Sequence, residues 1–432
     1  MSTTTDIGEG APTDSGQLFD LEPAAIRCPF RIYDKLRTDE PVYWEPRIEA
    51  FVVSRYDDIV AITGQPNLFS NGVQNSPVHD RRVQEVAGAL FGEAPEIFER
   101  AGQLRGPAGF LLNADPPEHA RQRALVNRAF TLRQVRKMEE GLTELVDRLL
   151  DGFDASGDVE IVRDFAVPLP VTVIANALGV EIDHTADVKR WSDDFLKMLN
   201  PHLTTVDMKD ALGSQIEFYT YFREQIADRR QNPKEDLLTA LVEANIDGEA
   251  LTEPEILEAS LQVMAAGNDT TTKIITAMVL RLARDPQLAA RLRAEPDLVS
   301  DFVEEVLRLE SPGQGFYRIA TADTEVAGVA IPQGSVLFLL YASGSRDESR
   351  FENAEELVFG RDVTTPHLSF GQGEHFCVGA TLARAELRIA IQRLLERFSD
   401  ISTPLADEDI EYISSYQFRG IESLPVHVTR AE

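Results

Sequence analysis

Apolar positions recur at helical spacing along most of this chain, and two-residue alternation is confined to short stretches. Residues 24–37 read as helix after a proline-bounded start, PVYWEP and AFVVSRY as a short hairpin, and DDIVAITGQP as helix again. Residues 71–112 hold many glycines and prolines around VAGALFG, which predicts a long, partly ordered connection. Behind two prolines, DPPEHARQRALVNRAFT predicts a helix over 115–131. Further helical patterns follow between 139 and 250, separated by GD, NP and DG turn signals and without a catalytic constellation. Residues 255–285 form one long apolar helix, which Gly267, Asn268, Asp269 and three threonines are expected to interrupt. FVEEVLRLESP is a helix ended by Pro312, and the alternation after Arg318 suits a small sheet. A last helix, from Ala380, carries Leu382, Leu387, Ile391, Leu394 and Leu395 on one face.

Chemistry concentrates at a few points of this pattern. Cys377 lies in the glycine-relieved loop FGQGEHFCVG, directly before that last helix. Unpaired N–H groups and the positive end of the helix dipole there favour a thiolate, the form that binds metal. Gly371, Gly373 and Gly379 remove side chains where a flat, bulky group would approach the backbone. The opposing reading is a buried core cysteine, the common fate of a lone thiol. His119 and Arg123 stand four apart on one helix face and suit an anion, although two exposed polar residues would give the same spacing. Asp269 and Thr270 form an acid and alcohol pair in an apolar helix, or else a polar kink. Glu305 and Arg308, at i, i+3, are weak evidence taken singly.

Phe370 to Gly379 fills every specified position of Phe-Gly-x-Gly-x-His-x-Cys-x-Gly, and the segment resembles the haem-binding signature of the cytochrome P450 family. The resemblance extends over roughly 25–430, with motifs in the expected order. It implies one mainly α domain with small β-sheets over 19–432, in the P450 fold, behind an N-terminal segment, 1–18, expected to be disordered. It implies haem b (iron protoporphyrin IX) with Cys377 as axial ligand of the iron and with Phe370, Gly371, His375 and Gly379 around it. His119, Arg123 and Arg318 match residues that bind haem propionates, and His375 would contact a propionate too. AGNDTT resembles the oxygen-binding groove, with Asp269 and Thr270 as the catalytic proton relay to dioxygen. Glu305 and Arg308 resemble the Glu-x-x-Arg motif, which joins Arg361 in a buried ion network. One departure bears on Arg361: Phe351, Ala354 and Leu357 stand where Phe, Pro and Phe are usual.

The implied activity is monooxygenation of a hydrophobic small molecule. A peroxide-driven peroxygenase and a non-catalytic haem binder are the alternatives, and neither has a use for Asp269 and Thr270. Only 55 residues follow Cys377, so electrons are expected from a ferredoxin and an NAD(P)H-dependent ferredoxin reductase. Phe195, Leu196, Met198 and Leu199 are candidate roof residues of the substrate pocket, and Gly313 to Tyr317 and Tyr416 to Phe418 candidate walls.

Composition narrows the setting. The chain has 432 residues and a formal net charge of −30, which excludes nucleic acid and anionic membrane as partners on electrostatic grounds. Two cysteines, Cys28 and Cys377, and a polar start without an apolar run point to a cytoplasmic protein, expected to be a monomer. Against that charge, Arg121, Arg123, Arg128, Arg133, Arg136 and Lys137 form a basic island with no acidic residue between 121 and 137. An acidic electron donor would dock there.

Overall fold

A computed structural model describes residues 13–104, 109–154, 156–181, 184–362 and 364–431. The architecture is mainly helical with small sheets, organised around the 32-residue helix Glu253–Arg284. Thr252 opens this helix with a capping box: its hydroxyl accepts from the Glu255 N–H while the Glu255 carboxylate accepts from the Thr252 N–H. The expected interruption does not occur. The helix runs through residues 267–272 unbroken, with the hydroxyls of Thr270, Thr272 and Thr276 donating to carbonyls four residues earlier in the same helix. Its apolar faces pack Leu257, Leu261, Met264, Ile275 and Val279 into the main core, with the helices Leu132–Asp151, Pro168–Ala177, Leu298–Glu310 and Ala380–Arg397 around it.

A second lobe forms on a five-stranded sheet in the order Val42–Glu45, Ala50–Val53, Val336–Leu339, Phe316–Ala320, Phe69–Ser70. All neighbours are antiparallel except Ala50–Val53 with Val336–Leu339. The expected hairpin supplies its first two strands, the alternating stretch after Arg318 the third, and Arg318 itself lies in the fourth. The helix expected over 24–37 is two helices, Pro23–Arg27 and Phe30–Asp39, separated at Cys28 and Pro29, since proline lacks the N–H to continue the first. Residues 15–18, expected within the disordered start, lie in the short helix Ser15–Phe19, and Leu18 and Phe19 are buried in this lobe. Residues 1–12 of that expectation lie outside the described residues.

The connection over 71–112 is mostly two helices, Pro77–Glu93 and Pro95–Leu104. Pro77 and Pro95 start helices rather than break them: Pro77 follows Ser76, whose hydroxyl caps the His79 N–H at 3.1 Å. Glycines at 88 and 92 weaken the first helix. Burial of Val86 and Leu90 against Leu203 and Met208 offsets that. Among the described residues no helix is long and apolar enough to cross a membrane.

Glu386, on the helix Ala380–Arg397, is 2% exposed, and its Oε2 has no hydrogen-bond partner. Burial pushes its pKa well above the carboxylate range, so the folded protein keeps a proton that the unfolded chain releases. A raised folded pKa means stability lost as pH rises through and beyond the unfolded value. Glu386→Gln should therefore gain stability over the parent by a margin that widens as pH rises above the unfolded carboxylate range. Thermal melts at a series of pH values measure it; a margin independent of pH would mean that Glu386 is charged and paired.

Candidate active site

Cys377 stands three residues ahead of the helix Ala380–Arg397, in a loop tied by the Cys377 N–H to the Phe370 carbonyl at 2.8 Å and by the Gly371 N–H to the Leu368 carbonyl at 2.8 Å. Phe370 is fixed from behind by the Arg384 guanidinium, 4.4 Å from its ring centre. Gly371 and Gly373 adopt φ of +71° and +73°, which an L side chain rarely takes up. Their glycine is thus required by the turn itself. A Cβ at Gly373 would also strike the Thr63 carbonyl. At Gly379, with φ −83°, the nearest atom to an added Cβ is Cys377 Sγ at 3.9 Å, an ordinary contact. Cys377 is itself exposed. Desolvation by the protein around it raises its thiol pKa, while the Gly379 N–H, Arg123, Arg384 and the Ala380 N–H act in the direction expected from the sequence, toward the thiolate.

Three residues distant in sequence close around this loop. His119, on the helix Glu118–Asn127, stacks on His375 with ring centres 3.9 Å apart. Arg123, one turn further, bonds Asn127 Oδ1 at 2.9 Å. Arg318, on the strand Phe316–Ala320, donates to the Tyr317 carbonyl at 2.7 Å and reaches the Tyr341 hydroxyl at 3.4 Å. Burial, then the repulsion that a charged ring would meet from His119, Arg318 and Arg123, drives the His375 pKa down to about 2. Burial and Arg123 lower that of His119 as well, so both imidazoles are neutral near pH 7. Both ring nitrogens of His119, Nε2 of His375 and Oε1 of Glu374 are buried without a hydrogen-bond partner. Glu374 occupies an unspecified position of the signature and was not legible as a site residue. It lies 3.6 Å from His119 Nδ1 and 3.5 Å from His375 Nε2, and burial, then Asp115, raises its pKa.

The central helix presents Ala266, Asp269 and Thr270 on its more open side, within a helix whose other faces are buried. The Thr270 hydroxyl donates to the Ala266 carbonyl at 2.7 Å, which leaves its lone pairs free to accept. Asp269 is not a free acid: its carboxylate pairs with Lys273, one turn on. An acid and a base at i, i+4 was the sequence signal for this pair. Beyond Lys273 the Phe418 and Phe316 rings meet edge to face at 6.1 Å, and Phe316 lies 5.8 Å from Tyr341 beside Arg318. Of the expected pocket walls, Phe316 and Phe418 are partly open. Tyr317 and Tyr416 are buried in the second lobe with their hydroxyls 2.9 Å apart, and so cannot line a pocket. Of the expected roof, Phe195 packs on the main core and Met198 on the cluster around Leu203.

Glu305, Arg308 and Arg361 form a separate network. Arg308 clasps Glu305 with two bonds, 2.8 and 2.9 Å, Arg361 adds a third at 2.9 Å, and the Val358 N–H a fourth at 2.9 Å. Arg308 also donates to the carbonyls of Ala354, Glu356 and Ser345. Only the backbone of Ala354 is used, which is why its departure from proline leaves Arg361 in place. Burial raises the Glu305 pKa, but the bonds from Arg308, Val358 and Arg361 more than reverse it, and the net shift is down.

With this geometry, residues 171–418 match the model of the family described as Cytochrome P450. Cytochrome P450 109 of Bacillus spizizenii is 36% identical over 404 residues, 93% of this chain and 92% of that protein. The structure of cytochrome P450 CYP109Q5 from Chondromyces apiculatus superposes with a TM-score of 0.80 at 33% identity, covering 95% of this chain and 98% of that one. CYP109E1 from Bacillus megaterium, solved in complex with testosterone, gives a TM-score of 0.79 at 30% identity, covering 92% and 99%. The chain belongs to the cytochrome P450 family of haem-thiolate monooxygenases and is an oxidoreductase of that type.

The residues fit the haem of that family. A flat group with two carboxylates on one edge needs a soft axial ligand and a desolvated set of donors and cations. Cys377 offers the first; the unpartnered nitrogens of His119 and His375, with Arg123 and Arg318, offer the second.

Proposed function

We propose that the protein inserts one atom of dioxygen into a hydrophobic small molecule and reduces the other to water, with electrons from a ferredoxin served by an NAD(P)H-dependent reductase. The observation that carries the reading is the cluster of buried, unpartnered polar atoms on His119 and His375 beside Cys377 and two arginines. Bound haem would supply the redox chemistry, taking up electrons and activating dioxygen. Cys377 would hold it through sulfur, with the Gly379 and Ala380 N–H groups directed at the thiolate. Arg123 and Arg318 would neutralise its two carboxylates, and the neutral His119 and His375 would donate their ring N–H groups to them. Thr270 would accept and position a proton at Oγ1, and Asp269 would hold its source at the carboxylate. Phe316 and Phe418 would keep water from the reacting carbon and present an apolar wall to the substrate. The testosterone held by the Bacillus megaterium relative makes a steroid the first probe of the pocket.

The donor surface is the exposed group Arg128, Arg133 and Arg136, together with Leu132, which is 54% exposed. None of the three arginines has an ion-pair partner among the described residues. Arg121 leaves the island, since it is bonded to Glu255 in the cap of the central helix, and Lys137 faces Glu235. A chain of net charge −30 repels an acidic ferredoxin at long range, so encounter requires this patch.

One assay tests the reading. Turnover of testosterone under ¹⁸O₂ with ferredoxin, reductase and NAD(P)H should give product bearing one labelled oxygen, and Arg128→Glu with Arg133→Glu should slow it more at low than at high salt. Equal turnover with hydrogen peroxide alone would make the protein a peroxygenase. Haem-replete protein that binds the steroid, shown by a spin-state shift, and never oxidises it would make the chain a haem binder without catalysis.

A further inference from the structure

The strongest feature left unused is a buried cation behind the relay acid. Lys273 sits one turn after Asp269 on the central helix, and its side chain is 8% exposed where that of Asp269 is 29%. Its ammonium pairs with Asp269 Oδ2 and lies 5.7 Å from the centre of the Phe418 ring. Its stem runs over Gly420, where an added Cβ would collide with Cγ, Cδ and Cε. Among the described residues no other cation pairs with Asp269, and no other carboxylate with Lys273.

Burying an ammonium is unfavourable unless a carboxylate and further contacts answer it. Here the contacts come from a separate element. The 416–420 loop is fixed against the segment after the helix Leu298–Glu310 by a bridge between Gly313 and Phe418, by the Gln314 N–H to the Gln417 carbonyl at 2.8 Å, and by the Arg419 N–H to the Pro312 carbonyl at 2.9 Å. Lys273 is therefore held at its stem by a rigid loop and at its tip by the acid. A partly open aspartate with no anchor would sample several rotamers; this one has its Oδ2 fixed.

We propose that Lys273 is a positioning residue for the proton relay: it fixes the Asp269 carboxylate relative to Thr270 and ties it, through Phe418, to the wall that a substrate touches. This rests on the reading of Asp269 as the relay acid. Glycine at 420 belongs to the device, since any side chain there displaces the lysine. Electrons diverted to peroxide are then the expected consequence of loosening Lys273, with haem binding and substrate binding retained.

The test uses haem-replete full-length protein and the variants Asp269→Asn, Lys273→Met, Lys273→Arg and Gly420→Ala. The first readout is the C–O stretching band of the reduced carbon monoxide complex, which reports the electric field on the distal side. Asp269→Asn should move it, and Lys273→Met and Gly420→Ala should both broaden or split it, while Lys273→Arg keeps a single band. Gly420→Ala retains the ammonium, so its effect separates position from charge and also stands in should Lys273→Met fold poorly. The second readout is hydrogen peroxide released per product with testosterone. Lys273→Met and Gly420→Ala should raise it at least about threefold, a small part of the 10²–10⁴ that positioned acid–base groups contribute. If Asp269→Asn moves the band and both Lys273→Met and Gly420→Ala leave band and peroxide unchanged, Lys273 has no positioning role and the relay stands without it. If Asp269→Asn itself changes neither readout, the relay reading falls and this inference with it.

Discussion

Replacing Thr270 with alanine should leave haem content and steroid binding intact and send most electrons to hydrogen peroxide instead of product. The effect is large because proton delivery decides the fate of activated dioxygen. General acid–base groups contribute about 10²–10⁴ in rate, and a delivery slowed on that scale lets release of peroxide compete. The structure gives two reasons to expect no collapse of the fold. Thr270 is partly open, and its one bond, to the Ala266 carbonyl, is a back-bond that the helix does not need. Alanine is also the better helix former. The measurement is product and peroxide per NAD(P)H consumed. Unchanged yields of both would remove Thr270 from the mechanism.

The largest loss of stability should come from Arg308→Met. Arg308 is 1% exposed and binds Glu305 twice, along with three backbone carbonyls of the 345–356 segment. Methionine fills similar volume but leaves the buried Glu305 with only Arg361 and the Val358 N–H. Removing one partner of a buried ion pair costs about 3–5 kcal/mol, whereas replacing both by apolar groups is often neutral. Urea melts of Arg308→Met and of the double variant Arg308→Met with Glu305→Leu separate the two: the single change should be the more damaging. Equal losses would mean that the carbonyl contacts, rather than the stranded carboxylate, dominate.

Local signals carried far. Apolar spacing over 255–285 announces the central helix, the signature loop marks Cys377, and Glu305 and Arg308 stand at helical spacing. What failed involved partners distant in sequence. The glycines over 71–112 argue for a loop until Leu203 and Met208 are known to pack against Val86 and Leu90. The stacking of His119 on His375 and the isolation of Glu374 between them cannot be seen from either segment alone. Arg121 looked like part of a free basic face because Glu255, its partner, lies 134 residues on. Lys273 was legible at i, i+4 from Asp269, but only its burial and its contact with Phe418 separate it from an ordinary surface pair.

At the sulfur the helix start acts as expected: the Gly379 and Ala380 N–H groups favour the thiolate, against desolvation that raises the thiol pKa. Iron would add to these groups in keeping Cys377 ionised when haem is bound. The central claim is therefore about ligation, and the absorption spectrum of the reduced protein with carbon monoxide tests it most directly. The parent protein should show the red-shifted Soret band of thiolate ligation, and Cys377→Ala should lose it. A parent spectrum without that band, or a Cys377→Ala variant that retains it, would contradict the assignment of Cys377 as the axial ligand.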